Sequence, residues 1–350
     1  MNTNITKKPK TSFSTKKLTK ELLACLPERA KDVIVKRFGL LEGGKKMTLE
    51  AIGKLYGITR ERVRQIENFS VNLIRKSDAF AKNKTVFDEL RGMMNEYGGI
   101  VSEQEFLDHV SKDHETQNHL LFYLVIDDQF SRMKEDEEFK HRWSIDPELS
   151  EKVHNSLKAL YTSLSEEDLV SESDMILRFL DHLGGEVKEL RDEEMARRWL
   201  SISKKISRNK LGEWGVAHSP NIKTRGIRDL AYLVLRKHGS PMHFSEVAKI
   251  ISETFGRPTN IATCHNELIK DSRFVLVGRG LYALKKWGYS QGTVRDIIRS
   301  VLQVHGPLSK EEIIRKVLRE RYVKENTVLV NLHNTKHFKK DKEGKYSSII

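Results

Sequence analysis

Five polar side chains between residues 60 and 68 have the types and the spacing of a surface that reads DNA bases. A helix places all five on one face. They are Arg60, Glu61, Arg64, Gln65 and Asn68. Guanidinium forks donate in pairs to guanine, side-chain amides bind adenine, and a carboxylate accepts from cytosine. An ordinary solvated helix face would more often pair Lys with Glu one turn apart, so the pattern favours base contacts in a major groove.

The residues around this face predict a helix-turn-helix. Thr48 and Thr59 each precede an apolar-periodic stretch and are good N-caps, and Gly57 between them allows a tight turn. The second helix, which follows Thr59, is expected to bury a stripe at helical spacing on its other face. That stripe is Val63, Ile66, Phe69, Ser70 and Leu73.

These residues resemble region 4 of the sigma-70 family of transcription initiation factors, the region that reads the −35 promoter element. The resemblance runs from about residue 18 to residue 76 and includes LPERAKDVIVKRFGL and TLEAIGKLYGITRERVRQIE. It implies promoter-base contacts at the positions matching Arg60, Glu61, Arg64 and Gln65. Arg62 lies nearer the predicted buried stripe, so we expect it to contact phosphate. We find no aromatic-rich segment like the one that melts the −10 element, and we expect something other than a complete sigma factor.

The net charge of +13 is divided unevenly along the 350 residues. Residues 1–86 carry +12, residues 87–220 carry −12 and residues 221–350 carry +13. Basic segments attract phosphate backbones through counterion release, whereas DNA repels an acidic segment. We therefore expect the basic ends to bind double-stranded DNA and the acidic middle to contact protein or keep the chain soluble. A purely solubilising role for the basic ends is the alternative.

Other features of the composition point to the cytoplasm. Cys25 and Cys264 are far apart, which argues against a disulfide framework. No apolar run approaches the length of about 18 residues that a membrane helix needs, so no membrane partner is expected. Residues 1–17 are basic and polar without a following apolar stretch, and are interpreted as a disordered basic arm rather than a signal peptide.

After residue 86 the chain repeats a loose pattern of a helix, a short helix, a second helix and a strand pair. Glycines recur after the first helix of three units, at Gly98-Gly99, Gly239 and Gly306. The fold class predicted is mainly α, a helix-turn-helix domain followed by tandem small winged-helix modules with short β-hairpin wings. The predicted boundaries are 18–86 for the helix-turn-helix, 87–147 and 148–215 for two acidic winged-helix units, and 222–289 and 290–350 for two further winged helices.

The unit at 222–289 contains GSPMHFSEVAKII and DSRFVLVGRGLYALKKWG, which resemble the HARE-HTH domain. That winged-helix module occurs in the delta subunit of bacterial RNA polymerase, in restriction-linked proteins and in chromatin-associated eukaryotic proteins. A Pro- and Gly-containing linker at 211–226 is expected before it. The recognition helix of this unit, the second in the chain, would span 260–270. Its wing would turn at Gly278-Arg279-Gly280. Possible DNA contacts here are Asn260, Thr263, His265, Asn266, Lys270, Arg279, Lys285 and Lys286. Winged helices also dock proteins, and that alternative stays open.

The last unit has a basic helix end and wing, which we expect to contact phosphate rather than read sequence. Its basic and titratable residues are His333, Lys336, His337, Lys339, Lys340, Lys342 and Lys345. Neither His333 with His337 nor the series at 109, 114 and 119 is completed into a zinc site by cysteines or carboxylates. No nucleotide-binding loop or nucleophile motif occurs. We therefore expect no metal, no cofactor and no enzymatic activity.

These observations favour a bacterial DNA-binding transcription protein that recognises promoter-like duplex DNA, with RNA polymerase as a partner. Two alternatives belong to other classes. One is a protein-interaction scaffold on polymerase, in which the acidic middle carries the function. The other is an accessory subunit of a restriction or repair system, suggested by where HARE-HTH domains also occur.

Overall fold

A computed structural model describes residues 12–41, 43–184 and 193–349. The chain separates into two compact units, Met1–Arg208 with Gly212–Ala217, and Asn209–Leu211 with His218–Ile350. Both are built from helices with small antiparallel sheets, which confirms the predicted fold class. Among the described residues, no helix combines the length and the apolar character needed to cross a membrane.

The first unit opens with the predicted helix-turn-helix and its flanking helices. They are α1 (Thr15–Leu23), α2 (Glu28–Phe38), α3 (Leu49–Tyr56), α4 (Arg60–Arg75), α5 (Asp78–Lys82) and α6 (Lys84–Tyr97). Residues 1–11 of the predicted disordered arm lie outside the described residues. The structure differs from that prediction at residues 15–17, which already belong to α1 because Leu18 and Leu22 bury the apolar side of this helix.

Two winged-helix folds complete the first unit. The first contains β1 (Ile100–Ser102), α7 (Glu103–Val110), α8 (His114–Ile126), β2 (Ser131–Met133) and β3 (Arg142–Ser144), with strand order β1-β3-β2. The second contains α9 (Pro147–Ser163), α10 (Glu172–Leu183), α11 (Glu193–Ile202), β4 (Ile206–Arg208) and β5 (Trp214–Val216). The unit predicted at 148–215 therefore forms three helices and a hairpin.

One hydrophobic core joins the helix-turn-helix to the first winged helix. This shared core contains Leu22, Ile34 and Ile74 from one side, with Phe122 and Trp143 from the other. The ring centroids of Phe38 and Phe122 lie 5.2 Å apart across it. A buried polar contact accompanies it, since the hydroxyl of Thr19 lies 2.7 Å from both His119 Nδ1 and the Tyr123 hydroxyl. The core therefore runs across residue 86.

The second winged helix has its own core and is attached to the first through α11. The indole N–H of Trp199 donates to the Gly98 carbonyl at 2.9 Å, and the Arg198 guanidinium lies 3.9 Å from the centre of the Tyr97 ring. The predicted linker at 211–226 is wrong over its first part. Trp214 is buried in this core and pairs with Arg208 in the β4–β5 hairpin, so a large apolar side chain outweighs the neighbouring glycines.

We expect His154 to make the first unit sensitive to acid. Burial, reinforced by the Arg142 guanidinium that donates to its Nε2 at 2.7 Å, lowers the pKa of His154 from 6.5 to about 4. A folded-state pKa below the unfolded one means that protonation favours unfolding. The stabilisation is complete above about pH 6.5 and is lost as the pH falls through about 4, with a total of roughly 2 kcal/mol once solvent screening of this half-buried group is allowed for.

The measurement is urea unfolding of the parent and of His154→Gln at several pH values. Glutamine keeps an acceptor for Arg142 but does not titrate, so the free energy of unfolding of the variant should fall less steeply between about pH 6.5 and 4. Identical slopes for the two proteins would show that His154 is not the acid-sensitive group.

The second unit contains two further winged helices. The first is α12 (Ile227–His238), β6 (Met242–His243), α13 (Phe244–Phe255), α14 (Ile261–Lys270), β7 (Phe274–Gly278) and β8 (Leu281–Leu284), with strand order β6-β8-β7. The last is α15 (Val294–His305), α16 (Lys310–Glu320), α17 (Glu325–Leu332), β9 (Phe338–Lys340) and β10 (Tyr346–Ser348). The predicted glycine turn of the first wing is confirmed, since Gly280 has φ +72° between β7 and β8.

Candidate nucleic-acid interface

The turn between α3 and α4 has the predicted chemistry. The Thr48 hydroxyl accepts from the Ala51 N–H and the Thr59 hydroxyl accepts from the Arg62 N–H, both at 3.1 Å. Gly57 ends α3 with φ +64°, the left-handed conformation that favours glycine. At Gly53 a Cβ would lie 2.7 Å from the Ile58 carbonyl oxygen, so only glycine allows the turn to pass this close to α3. Both caps and the turn are thereby confirmed.

We expect Thr59→Ala to destabilise the protein by about 1 kcal/mol, because the first turn of α4 loses its side-chain cap. That turn carries Arg60 and Glu61, so its fraying should also weaken DNA binding. Urea unfolding and duplex titration check the two effects. Thr162→Ala is the matched control, since the hydroxyl of Thr162 is exposed and only donates back within α9. A loss no larger than that of Thr162→Ala would contradict the capping role.

The polar face of α4 is exposed to solvent. Arg60, Glu61, Arg64, Gln65 and Asn68 are all exposed, as is Arg62. Arg64 donates twice to Glu61, from Nε at 2.8 Å and from Nη2 at 2.6 Å, and Arg62 donates to Gln65 Oε1 at 2.9 Å. Such exposed pairs contribute little stability, so DNA could replace them at small cost.

The pair between Glu61 and Arg64 also fixes the charge state of this face. The hydrogen bonds from Arg64 lower the pKa of Glu61, and the same contact raises the pKa of Arg64. Both groups are therefore ionised at neutral pH. The face offers charged donors and an acceptor side by side, as base reading in a major groove requires.

The buried side of α4 differs from the prediction at one residue. Val63 and Ser70 are buried and Ile66 and Leu73 are partly buried, but the Phe69 side chain is 55% exposed. The buried stripe instead continues through Val71 and Ile74. Phe69 lies one residue away from Ser70, and a helix turns by about a quarter of a revolution per residue, which moves the phenyl ring off the stripe.

The C-terminal half of α4 is anchored against the first winged helix. Arg75 donates to the Val125 carbonyl at 3.2 Å and forms an ion pair with Asp128 at 2.5 Å. Earlier in the helix, Glu67 accepts from Arg37 at 3.3 Å. These contacts hold the C-terminal half of α4 in place, while its N-terminal half stays exposed.

One cation beside this face was missed by the sequence prediction. An open groove of about 530 Å³ lies between α3 and α4, and Lys54 lines it together with Thr59, Arg60 and Arg62. Lys54 is 78% exposed and pairs with Glu50 at 3.0 Å, the Lys–Glu spacing typical of a solvated helix. The sequence therefore gave no indication that Lys54 differs from an ordinary surface lysine, but its position suits contact with a phosphate beside the recognition helix.

The second predicted set is divided by the structure. Thr263, Asn266, Lys270, Arg279 and Lys285 are exposed. The Asn260 side-chain oxygen caps α14 by accepting from the Ala262 N–H at 2.9 Å and the Thr263 N–H at 3.3 Å.

The other two members of this set are occupied within the protein. His265 stacks on Phe244 at 4.3 Å, and the Lys286 ammonium donates to the Tyr232 hydroxyl at 2.8 Å.

The wing of the last winged helix is closed by a turn of charged residues. Asp341 Oδ1 accepts from the Glu343 N–H at 2.9 Å and the Lys345 N–H at 2.8 Å, which closes the β9–β10 hairpin. Four exposed lysines surround this turn: Lys339, Lys340, Lys342 and Lys345. His333 and Lys336 are exposed at the end of α17, whereas His337 is bonded to Arg295 at 3.0 Å.

Two of the histidines in the series at 109, 114 and 119 pack within the protein. The ring centroids of His109 and Tyr97 lie 4.4 Å apart with the ring planes tilted, and His119 is buried beside Thr19. The described part of the chain contains no group of three or more side chains placed to hold a metal ion.

Comparison with known proteins agrees with both resemblances. Residues 22–76 match the family model for sigma-70 region 4, and residues 226–287 match that for HARE-HTH, the helix-turn-helix domain named in part for ASXL and restriction endonuclease. The RNA polymerase sigma factor RpoS of Coxiella burnetii is 53% identical over 53 residues, 15% of each chain. The RNA polymerase sigma factor SigA of a Bacillus species is 43% identical over 60 residues, 17% of this chain and 16% of that one. The chain thus spans about a sixth of the length of these curated relatives.

Proposed function

We propose that this chain is a DNA-binding transcription protein that inserts α4 into the major groove of duplex DNA at a promoter-like site. The observation that carries the proposal is the exposed, ionised and capped face from Arg60 to Asn68, which lies within the part of the chain that matches sigma-70 region 4. Arg60, Glu61, Arg64, Gln65 and Asn68 would contact bases, while Lys54 and Arg62 would contact phosphates. The activity is binding rather than catalysis.

We further propose RNA polymerase as a partner and the cytoplasm as the compartment. Both relatives carry RNA polymerase sigma factor in their names, and the HARE-HTH match is to a module that the polymerase delta subunit also contains. The family-model match to sigma-70 region 4 covers residues 22–76, and the matches to the two sigma factors extend over 53 and 60 residues. The chain would therefore act beside polymerase with a sigma-like recognition helix rather than as a full sigma factor.

A scaffold on polymerase is the second candidate, and the shared core supports it. The acidic winged helix packs directly on the helix-turn-helix, so residues 87–220, with a net charge of −12, would be held next to any DNA that α4 binds. Protein contacts made there could carry the function while DNA binding is secondary. The two candidates differ in how strongly DNA affinity depends on salt.

The deciding experiment selects binding sites from a random duplex library with the purified full chain, alongside co-purification of polymerase from the source cells. The proposal expects one enriched sequence motif and a log-affinity that falls steeply with log-salt concentration. Polymerase recovered without any enriched motif, and with shallow salt dependence, would favour the scaffold. Enrichment of a motif by an Arg60→Ala and Arg64→Ala double variant would contradict the assignment to α4.

A further inference from the structure

The outward side of α14 carries little positive charge. Its exposed side chains after the first turn are Asn266, Ile269 and Lys270, so a single ammonium faces outward there. By contrast, α4 exposes three guanidinium groups. Residues 221–350 nevertheless carry +13, so most cations of this unit lie elsewhere. A phosphate-binding surface in the second unit must therefore be sought away from α14.

The wing strand β7 is joined to the last winged helix by backbone contacts. The Tyr322 N–H donates to the Val277 carbonyl at 2.8 Å, and Gly278 and Tyr322 form a parallel bridge. A Cβ on Gly278 would lie 2.8 Å from the Tyr322 carbonyl oxygen. The two modules therefore meet at a distance that only glycine allows.

Arg321 fastens this contact. Its side chain is buried, at 3% exposure, and its guanidinium donates to three backbone carbonyls. The acceptors are Leu276 at 3.0 Å, Ser290 at 2.6 Å and Gly292 at 2.9 Å. Leu276 belongs to the wing, and the other two carbonyls belong to the segment that connects the modules. A buried guanidinium with fixed acceptors holds its backbone in place, because losing them would leave a charge without partners.

The contact brings exposed groups of both modules together. Gly278 bridges to Tyr322, Arg279 follows Gly278 at the wing tip, and the exposed Lys324 lies two residues after Tyr322. Tyr322 itself is 53% exposed, and burial together with the neighbouring Tyr322 raises the pKa of Tyr289. We call Arg279, Tyr322 and Lys324 the wing junction. Glu320 and Glu325 are the neighbouring carboxylates, two against the two exposed cations, and the buried Arg321 adds a third positive charge beneath the surface.

We infer that the wing junction is a contact surface for the phosphate backbone of duplex DNA, with Arg321 as the residue that positions it. Arginine, lysine and tyrosine are common phosphate contacts and give no sequence information by themselves. The two C-terminal winged helices would then bind DNA together, and the wing junction rather than α14 would make the contact. This inference rests on the proposed function, in that the chain acts on duplex DNA, but it concerns surfaces outside the region that matches sigma-70 region 4.

The test titrates a long mixed-sequence duplex with the full chain at several salt concentrations. In Arg279→Gln with Lys324→Gln, two phosphate contacts are lost, so the log–log salt slope should become shallower by about 1.8 and affinity should fall roughly tenfold or more. The matched control is Lys249→Gln with Lys310→Gln, which removes the same charge from exposed sites in the same two modules. A control that loses as much slope, or a junction variant with the parent slope, would overturn the inference.

The positioning role of Arg321 is read from a double-mutant cycle. In an Arg321→Lys background, which keeps the charge but loses the fork, the junction variant should show less than about half of the effect that it has in the parent protein. An unchanged effect would remove Arg321 from the inference. If Arg321→Lys does not fold, as judged by circular dichroism, Tyr322→Ser replaces it, and an affinity equal to the parent would count against the surface.

Repeating the titration in the Arg64→Ala background separates this inference from the proposed function. Non-specific duplex binding should remain there and should still respond to the junction variant. A chain that binds no duplex in any background contradicts the proposed function. If the chain binds duplex DNA with sequence preference, but the junction variant has the same salt slope as the parent, only the inference about the wing junction is overturned. A larger slope change on duplex RNA would reassign the surface to RNA.

Discussion

Arg64→Ala is expected to weaken binding to the preferred duplex by about 1–3 kcal/mol, roughly 5- to 150-fold, and to relax sequence preference at one position. The reason is geometric. Arg64 is exposed on α4 with its fork held in one plane by two hydrogen bonds to Glu61, so a bidentate donor is already oriented before DNA arrives. Its removal leaves the fold intact, because the pair with Glu61 is exposed on both sides.

Two companion variants identify what kind of contact is lost. Arg64→Lys keeps the charge but not the fork, so it should retain the salt slope while losing preference for the base. Lys82→Ala, an exposed cation on α5, is the control for charge alone and should leave sequence preference unchanged. The measurement is a competition titration with single-base variants of the selected site. If Arg64→Ala discriminates between the single-base variants as well as the parent does, α4 is not the recognition helix.

Phe122→Ala is expected to destabilise the first unit by about 3–5 kcal/mol. Phe122 is fully buried in the shared core and packs against Phe38 of the helix-turn-helix. If the core is one cooperative body, the loss should appear in both parts together, so α4 and the first winged helix should melt in a single transition at lower denaturant concentration. Urea unfolding, followed by hydrogen exchange of amides in both parts, measures this.

The matched control for that loss is Phe69→Ala, which deletes the same ring from an exposed position on α4. Surface substitutions of this kind change stability by less than about 0.5 kcal/mol. Separate transitions for the helix-turn-helix and the winged helix in Phe122→Ala would show that the boundary predicted at residue 86 divides two independent domains.

The local features of the helix-turn-helix were predictable because they depend on neighbours in sequence. Thr48 and Thr59 cap their helices, and Gly57 turns between them, as their residue types require. Phe69 was assigned to the wrong face because its type is apolar, whereas the true stripe is set by Ser70 and Ile74 packing on α2 and α8. A hydroxyl can be buried where its hydrogen bond stays within the helix, and that of Ser70 donates to the Ile66 carbonyl at 2.7 Å.

Contacts between modules could not be derived from the repeat pattern. The pattern shows where each winged helix begins, but not that α8 completes the core of a different module. Arg321 is a second example, since nothing in its own neighbourhood indicates that it reaches Leu276 on the preceding wing. Such partners are brought together by the tertiary fold, and a single sequence carries no local signal for them.

The shared core also sets an order of events during translation. Leu22, Ile34 and Ile74 leave the ribosome well before Phe122 and Trp143, the residues that cover them. At roughly 5–20 residues per second, the nascent helix-turn-helix waits several seconds for its covering residues. During that interval its apolar side is open to chaperones and to other nascent chains. We therefore expect the rate of translation between residues 75 and 143 to affect the yield of folded protein.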